Sequence, residues 1–189
     1  MTIRSLVRIA GLLIALTVWQ PAVRAAVVTP PTFEALVDSA GDIFLGQVVS
    51  TASRFEQRGA KRLIVTDVTF RTEEVLKGTS EALKTLTFIG GHVGELRMEM
   101  PGSPTFMVGD RDVIFVRSGR PSLMPIVGQF HGRFRVVTGP GGVGAFVANN
   151  SRQPIASAGE YARPSRALAA TRPLTLSDFL RTIRTMAGR

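Results

Sequence analysis

The chain has 189 residues, of which 44% are hydrophobic and 20% are charged, and its formal net charge is +9. This length and composition predict one folded domain with an appendage, or two very small domains, and exclude a disordered chain. Because the sequence has no cysteine, it excludes disulfides, thiolate catalysis, zinc fingers and iron–sulfur clusters.

Residues 1–25 have the pattern of a signal peptide. An uncharged, mostly apolar stretch follows Arg8, and Val23 and Ala25 occupy the −3 and −1 positions of a signal-peptidase site. The stretch between Arg8 and Arg24 has 15 residues, whereas a membrane-spanning helix needs about 20. We therefore expect cleavage after Ala25, membrane contact only during export, and a secreted or periplasmic protein. An uncleaved membrane anchor is the alternative.

The positive charge is concentrated near the C-terminus. Residues 152–189 hold seven arginines and two acidic residues, while residues 26–151 hold 13 basic and 12 acidic residues. A basic excess often indicates nucleic-acid binding, but export removes the commonest nucleic-acid partners, so we expect no specific nucleic acid. We interpret the basic tail as a solvated face, and a polyanion or membrane-surface binder is the alternative function.

One short helix is predicted at the start of the mature chain. Apolar residues recur at helical spacing from Phe33 to Ala40, with Thr29 as the predicted N-cap and Gly41 as the stop.

Six to eight short strand patterns follow at regular spacing. Residues 63–74 alternate between apolar and polar, and the polar residues 54–61 before them predict a hairpin loop. Residues 95–100 alternate with charge, which predicts that three side chains pack in the core: Leu96, Met98 and Met100. Because few helices separate the strands, the pattern favours a mainly β fold, a small antiparallel Greek-key barrel of the OB type over residues 26–148.

Four segments of this region carry a resemblance to a known family. They are Asp42-x-x-x-Gly46-x-Val48, Val65 to Phe70, Val75-Leu76-Lys77-Gly78 and Gly109-Asp110-x-x-Val113-x-Phe115. The layout resembles uncharacterised exported bacterial proteins and, more distantly, the netrin-like modules of tissue inhibitors of metalloproteinases. The resemblance implies an OB barrel and a protein partner, with a secreted protease as one candidate. Those inhibitors chelate zinc through an N-terminal cysteine, which this sequence lacks.

The strongest candidates for a binding surface lie close together in the sequence: Phe130, His131, Arg133 and Arg135. The two arginines share one face of a predicted strand, and an aromatic ring with two guanidinium groups suits an anion or a stacked ring. A solvated barrel face is the alternative interpretation.

The C-terminal part divides into a predicted linker and a predicted helix. Residues 149–173 have the proline, alanine and arginine content of a linker, whereas residues 174–189 predict an amphipathic helix with Thr175 and Asp178 in a capping box. The apolar stripe of this helix comprises Leu176, Phe179, Leu180 and Ile183. Because a short lone helix is marginal in water, we expect it to dock on the open end of the barrel. A partner's groove and an anionic membrane are the alternatives.

The sequence offers little catalytic chemistry. Its only histidines are His92 and His131, and a metal site on this pair would make a metal-dependent enzyme the remaining alternative. His92 lacks the second histidine of a metalloprotease helix, and no Gly-x-Ser-x-Gly motif is present. We therefore predict no catalytic residue, no metal and no cofactor, and a non-catalytic module that recognises another macromolecule.

Overall fold

The computed structural model describes residues 29–79, 81–139 and 142–188, so the predicted signal peptide and its cleavage after Ala25 lie outside the described residues. The helices in these ranges are α1 (Phe33–Ser39), α2 (Arg166–Thr171) and α3 (Leu176–Ala187), with a 3-10 turn at Ala158–Glu160. The strands are β1 (Ala40–Arg58), β2 (Lys61–Lys77), β3 (Leu83–Ile89), β4 (Gly91–Val93), β5 (Leu96–Met98), β6 (Arg111–Arg117), β7 (Arg133–Thr138) and β8 (Ala145–Ala148). None of the helices in these ranges has the length and apolar character needed to cross a membrane.

Six strands form one antiparallel sheet, which confirms the prediction of a mainly β fold. Their order is β3-β2-β1-β6-β7-β8, so β1 lies between β2 and β6. Strands β4 and β5 pair separately as a short hairpin. Across the described residues this sheet is open, with β3 and β8 at its edges, and closure into a barrel is not found there.

Strands β1 and β2 form a hairpin much longer than the sequence predicts. The loop predicted over 54–61 is wrong, because both strands continue through this range and only Gly59–Ala60 form the turn. Gly59 has a φ of 58°, in the left-handed region that glycine adopts without strain. The polar side chains suit a strand because they pair across it, as Arg54 does by donating from Nε to Asp67 Oδ2 at 2.7 Å.

Each face of the sheet has a core of its own. Successive residues of β6 alternate between them, with Val113 in the first core and Ile114 in the second. The first core lies under α1 and α3, where the Phe179 ring centroid is 5.5 Å from Phe33 and 4.8 Å from Phe134. The second core is smaller and comprises Phe44, Val48, Val68, Phe70, Leu86, Phe88, Phe106, Ile114, Val116 and Ile126.

Helix α3 is part of the first core. Its predicted cap forms, since Thr175 Oγ1 accepts a hydrogen bond from the Asp178 backbone N–H at 3.2 Å. The four stripe residues are buried in that core: Leu176, Phe179, Leu180 and Ile183. The helix therefore docks on its own domain, against a face of the sheet rather than in the mouth of a barrel.

The linker predicted over 149–173 is corrected by the structure, because this segment is folded onto the sheet. Ile155 and Tyr161 are buried in the first core, and the Tyr161 hydroxyl donates to the Pro31 carbonyl at 2.5 Å. Pro154 also makes a bridge to Ala148 at the end of β8. The domain boundary predicted after residue 148 is therefore wrong, since the same core continues to α3.

Two local predictions also differ from the structure. The N-cap of α1 is Thr32 rather than Thr29, because Thr32 Oγ1 accepts from the Ala35 N–H at 3.1 Å. Leu96 and Met100 were expected in the core but are 60% and 38% exposed. Both are exposed because β5, which contains Leu96, pairs only with β4 outside the main sheet, and Met100 follows the end of that strand, so neither has a core to pack against.

Candidate binding cleft

An open cleft of about 870 Å³ lies between the β1–β2 hairpin and the segment 89–106. The hairpin lines it with the hydroxyl groups of Thr51, Ser53 and Thr66. Its apolar lining comprises Val68, Phe88, Ile89, Met98, Met100 and Phe106, together with two prolines. The cleft therefore combines hydrogen-bonding groups with apolar contact area, as binding sites commonly do.

A glycine brings the short β4–β5 hairpin onto the long one. Gly91 has a φ of 134°, and a Cβ at this position would lie 2.3 Å from Thr66 Oγ1 and 2.5 Å from Ser53 Oγ. Thr66 Oγ1 donates to the Gly90 carbonyl at 2.7 Å and lies 2.9 Å from Ser53 Oγ. Strand β4 therefore crosses the row of hydroxyl groups, and a side chain at position 91 would displace it.

The cleft adjoins an unpaired strand edge. Strand β1 pairs with β6 from Ala40 to Gln47, and Val48 exchanges backbone hydrogen bonds with Gly109 and Asp110. Residues 50–58 of β1, here named the free edge, pair with β2 alone, and no backbone hydrogen bond joins them to another element of the described ranges. Thr51 and Ser53 belong to the free edge and also line the cleft.

Two charged side chains, Arg97 and Glu99, line the cleft together with the His92 imidazole, and all three are exposed. Arg97 Nη2 pairs with Glu99 Oε1 at 2.5 Å, on side chains that are 76% and 70% exposed. Within the described residues there is no group of three or more histidine, aspartate or glutamate side chains placed to hold a metal ion. His92 lies on β4, while His131 contacts Tyr161, 5.5 Å between ring centroids.

The structure corrects the prediction that Arg133 and Arg135 lie on an exposed face, because their side chains are only 1% and 10% exposed. Arg133 donates from Nε and Nη2 to the Asp112 carboxylate, 3.0 Å for each bond, and from Nη1 to the Thr105 carbonyl at 2.7 Å. Arg133 Nη2 also bonds Asp110 at 3.0 Å, and Arg135 Nη2 bonds the other oxygen of Asp110 at 2.8 Å.

These four charges, three of them buried and Asp110 partly exposed, form a network here named the arginine network. Strand pairing sets Asp112 opposite Arg135, which sequence analysis of one strand alone does not reveal. Burial raises the pKa of the Asp112 carboxyl, and the adjacent Arg133 guanidinium opposes that shift. The Arg133 guanidinium also lies 3.9 Å from the centroid of the Phe106 ring, so it connects β7 to a residue that lines the cleft.

Phe130 and His131 have different neighbours from the two arginines. Their rings lie 4.5 Å apart between centroids, and the His131 ring makes an edge contact with Tyr161. Burial lowers the pKa of His131, so the fold favours the neutral imidazole. The four residues predicted as one binding surface thus belong to two environments, an aromatic contact and an ion-pair network.

The free edge and the hydroxyl groups beside it were not predicted from the sequence. Because residues 54–61 were predicted as a loop, the first strand was predicted to end too early. The alternation of Thr51, Ser53 and Phe55 continues the strand pattern past residue 51, and it could have indicated the longer strand.

No protein-family model matches this sequence, and no curated protein matches it. The resemblance to netrin-like modules therefore stays a prediction that depends on its four motifs.

Proposed function

We propose that this protein is an exported, non-catalytic binding module that recognises an extended segment of another protein. The observation that carries the proposal is the free edge beside the cleft. A strand edge offers unpaired backbone N–H and C=O groups, and an added strand satisfies them while its alternate side chains enter adjoining pockets. A secreted protease is one class of partner, on the strength of the family resemblance alone.

The composition of the site supports strand addition over small-molecule catalysis. The free edge has nine positions, and the cleft next to it is open and lined by hydroxyl, methionine and phenylalanine side chains. Methionine side chains adapt to different partner shapes, and hydroxyl groups donate or accept as the partner requires. Arg54 and Arg58, with Glu56 between them, place charges along the edge, which discourages pairing with hydrophobic strands.

An OB-like architecture is part of the proposal. The spatial order β6-β1-β2-β3 supports a Greek-key connection, in which a fourth strand returns to lie beside the first. OB folds are partly open barrels that bind extended polymers on one face and its adjoining loops. The position of the cleft beside the β1–β2 hairpin supports the same kind of use.

Export is the second part of the proposal, and it depends on the pattern of residues 1–25. We expect the protein recovered from the periplasm or medium to begin at Ala26, and its intact mass measures this directly. A protein that begins at Met1 and is found in the membrane fraction would overturn the export proposal.

The membrane-surface alternative finds less support in the tail. The apolar stripe of α3 is buried in the first core, so the helix cannot present this stripe to lipid. Arg181 pairs with Asp178 at 2.7 Å, and Arg184 pairs with Glu74 on β2. Part of the positive charge of the tail is therefore engaged within the domain.

The proposal is tested with peptides selected on the protein from a phage-displayed library of random linear sequences. Thr51→Trp places a bulky ring at the cleft, and we expect it to weaken the binding of the selected peptides at least about tenfold. Ala52→Trp is the matched control, because the adjacent residue of a strand points to the opposite face.

Amide hydrogen exchange supplies the second measurement. Strand addition should slow exchange along residues 50–58 when peptide is bound, since their outward N–H groups then gain partners. Equal weakening by the two tryptophan variants, or binding without protection of the free edge, would contradict the proposed mode.

A further inference from the structure

A second, smaller pocket of about 300 Å³ lies beside the cleft, and it is here named the arginine pocket. It is lined by Arg133, Arg135 and Arg152, and by Asn150 and Ser151 from the segment after β8. The lining also includes residues 103–105, which line the cleft as well. A chain that occupies the cleft can therefore extend a side chain or its terminus into the arginine pocket.

The three guanidinium groups differ in what they have left to donate. All three donor nitrogens of Arg133 already bond protein acceptors. Arg135 uses only Nη2, toward Asp110, and Arg152 makes no side-chain hydrogen bond or ion pair with the described residues. Arg135 and Arg152 thus retain free N–H groups at the pocket, while Arg133 contributes buried charge.

The pocket is built rather than incidental. Hydrogen bonds to Asp110 and Asp112 position the guanidinium groups of Arg133 and Arg135, and neither aspartate lines the pocket. Arg152 has a φ of 60°, a conformation that costs a non-glycine residue free energy. The turn is held by Asn149, whose Oδ1 accepts from the Ser151 and Gln153 N–H groups at 3.0 Å each.

Asn150 lines the arginine pocket and has one side-chain polar atom that the described residues leave unsatisfied. Its side-chain oxygen is buried and has no hydrogen-bond partner in the described part of the chain. A buried polar atom without a partner costs free energy, and native proteins usually satisfy it. The Asn150 side chain therefore has hydrogen-bonding capacity that the described residues do not use.

We infer that the arginine pocket binds a single carboxylate, an acidic side chain or C-terminus of the segment that occupies the cleft. This inference rests on the proposed function for its source of the carboxylate. Three guanidinium groups against two carboxylates leave one net positive charge, which matches one carboxylate better than a doubly charged phosphate. Two arginines with free donors suit the planar oxygens of that group.

The first test uses acetate alone and needs no peptide. At constant ionic strength set with chloride, acetate should shift the side-chain N–H resonances of Arg135 and Arg152 saturably. Arg152→Gln should weaken the binding of acetate roughly tenfold or more, because it removes a charged donor. Arg172→Gln is the matched control, since Arg172 is also exposed and has no side-chain partner in the described ranges, and it should leave acetate binding unchanged.

The results separate this inference from the proposed function. The carboxylate site would be overturned if acetate shifts the arginine resonances no more than chloride does, or if it binds Arg152→Gln as tightly as the parent. Either result would count even if Thr51→Trp abolishes peptide binding. Inorganic phosphate that binds more tightly than acetate would overturn the assignment to a carboxylate.

The second test replaces each acidic residue of a selected peptide by its amide and caps its C-terminus. One of these changes should weaken binding to the parent protein but not to Arg152→Gln, and equal weakening of both would overturn the link to the cleft.

Discussion

The two halves of the β1–β2 hairpin differ in their surroundings although they belong to the same pair of strands. In the inner half, β1 pairs with β2 on one side and β6 on the other, and Ile43, Phe44 and Leu45 are buried. In the outer half, residues 50–58 pair with β2 alone and include no buried side chain. The comparison teaches that hairpin pairing is local, whereas burial depends on what the rest of the chain places over each half.

The outer half depends on weak contacts. Arg54 pairs with Asp67, Ser53 with Thr66, and the Arg62 guanidinium lies 3.6 Å above the Phe55 ring. Exposed cross-strand pairs of these kinds contribute little to the free energy of unfolding, because water and salt screen them. The inner half has aromatic rings and the arginine network near it, so we expect variants of the two halves to differ widely in stability.

Ending the chain at Arg152 should have the largest effect, because it uncovers the inner half. It removes the buried side chains of α3 along with Ile155 and Tyr161. Each large apolar side chain contributes about 1.5–3 kcal/mol when fully buried, so the six together contribute as much as the 5–15 kcal/mol stability typical of a domain. We expect no cooperative thermal transition by calorimetry. A chain that ends at Ala187 is the control, and a truncated protein that melts within a few degrees of the parent would contradict the prediction.

Arg133→Ala should have the next largest effect, since it leaves Asp112 buried without its partner. Loss of one member of a buried ion pair typically costs about 3–5 kcal/mol. Urea denaturation measures this change in the free energy of unfolding. The double variant Arg133→Met/Asp112→Leu should be more stable than Arg133→Ala, because it has no uncompensated buried carboxylate. A cost below about 1 kcal/mol for Arg133→Ala would show that the network is not buried as described.

Tyr161→Phe should have a moderate, pH-dependent effect on the free energy of unfolding, because Tyr161 belongs to the segment that packs over the inner half. Loss of the hydrogen bond to Pro31 should cost about 0.5–1.5 kcal/mol at neutral pH. Burial raises the pKa of Tyr161 to about 12 from its ordinary 10.0. Because the folded state holds the phenol proton more tightly, this stabilisation is complete below pH 10 and is lost as the pH rises toward 12.

The measurement is the free energy of unfolding of both proteins between pH 9 and pH 12. The parent should lose stability through this range more steeply than Tyr161→Phe does. Parallel curves for the two proteins would show that Tyr161 does not titrate with a raised pKa.

Arg62→Ala should have the smallest effect, because its contact with Phe55 lies in the outer half. An exposed cation–π contact contributes about 0.5–1 kcal/mol. Hydrogen exchange should become faster near the Gly59–Ala60 turn, while the thermal midpoint of the domain moves little. A loss as large as that of Arg133→Ala would show that the outer half is coupled to the core.

The candidate sites show where prediction from sequence ended. Arg133 and Arg135 were correctly placed on one face of a strand, but their acidic partners lie on β6 and in the turn before it, 21 to 25 residues away in the sequence. The cleft and the arginine pocket join segments from three or four parts of the chain. Local periodicity carries no information on such distant pairings, so neither site was predicted.

Features that depend on local chemistry could be predicted from the sequence. The strand alternation of residues 63–74, the apolar spacing of the first helix (though not its N-cap), and the cap and apolar stripe of α3 all follow from side-chain spacing. Whether a residue lies in a linker, in the core or on the surface depended instead on long-range packing. Residues 149–173 have the composition of a linker yet pack in the core, because the sheet offers an apolar face there for Ile155 and Tyr161. Leu96 and Met100 alternate as core residues do yet remain exposed, because no second layer covers them. Burial is a property of both surfaces in a contact, and a sequence pattern describes only one of them.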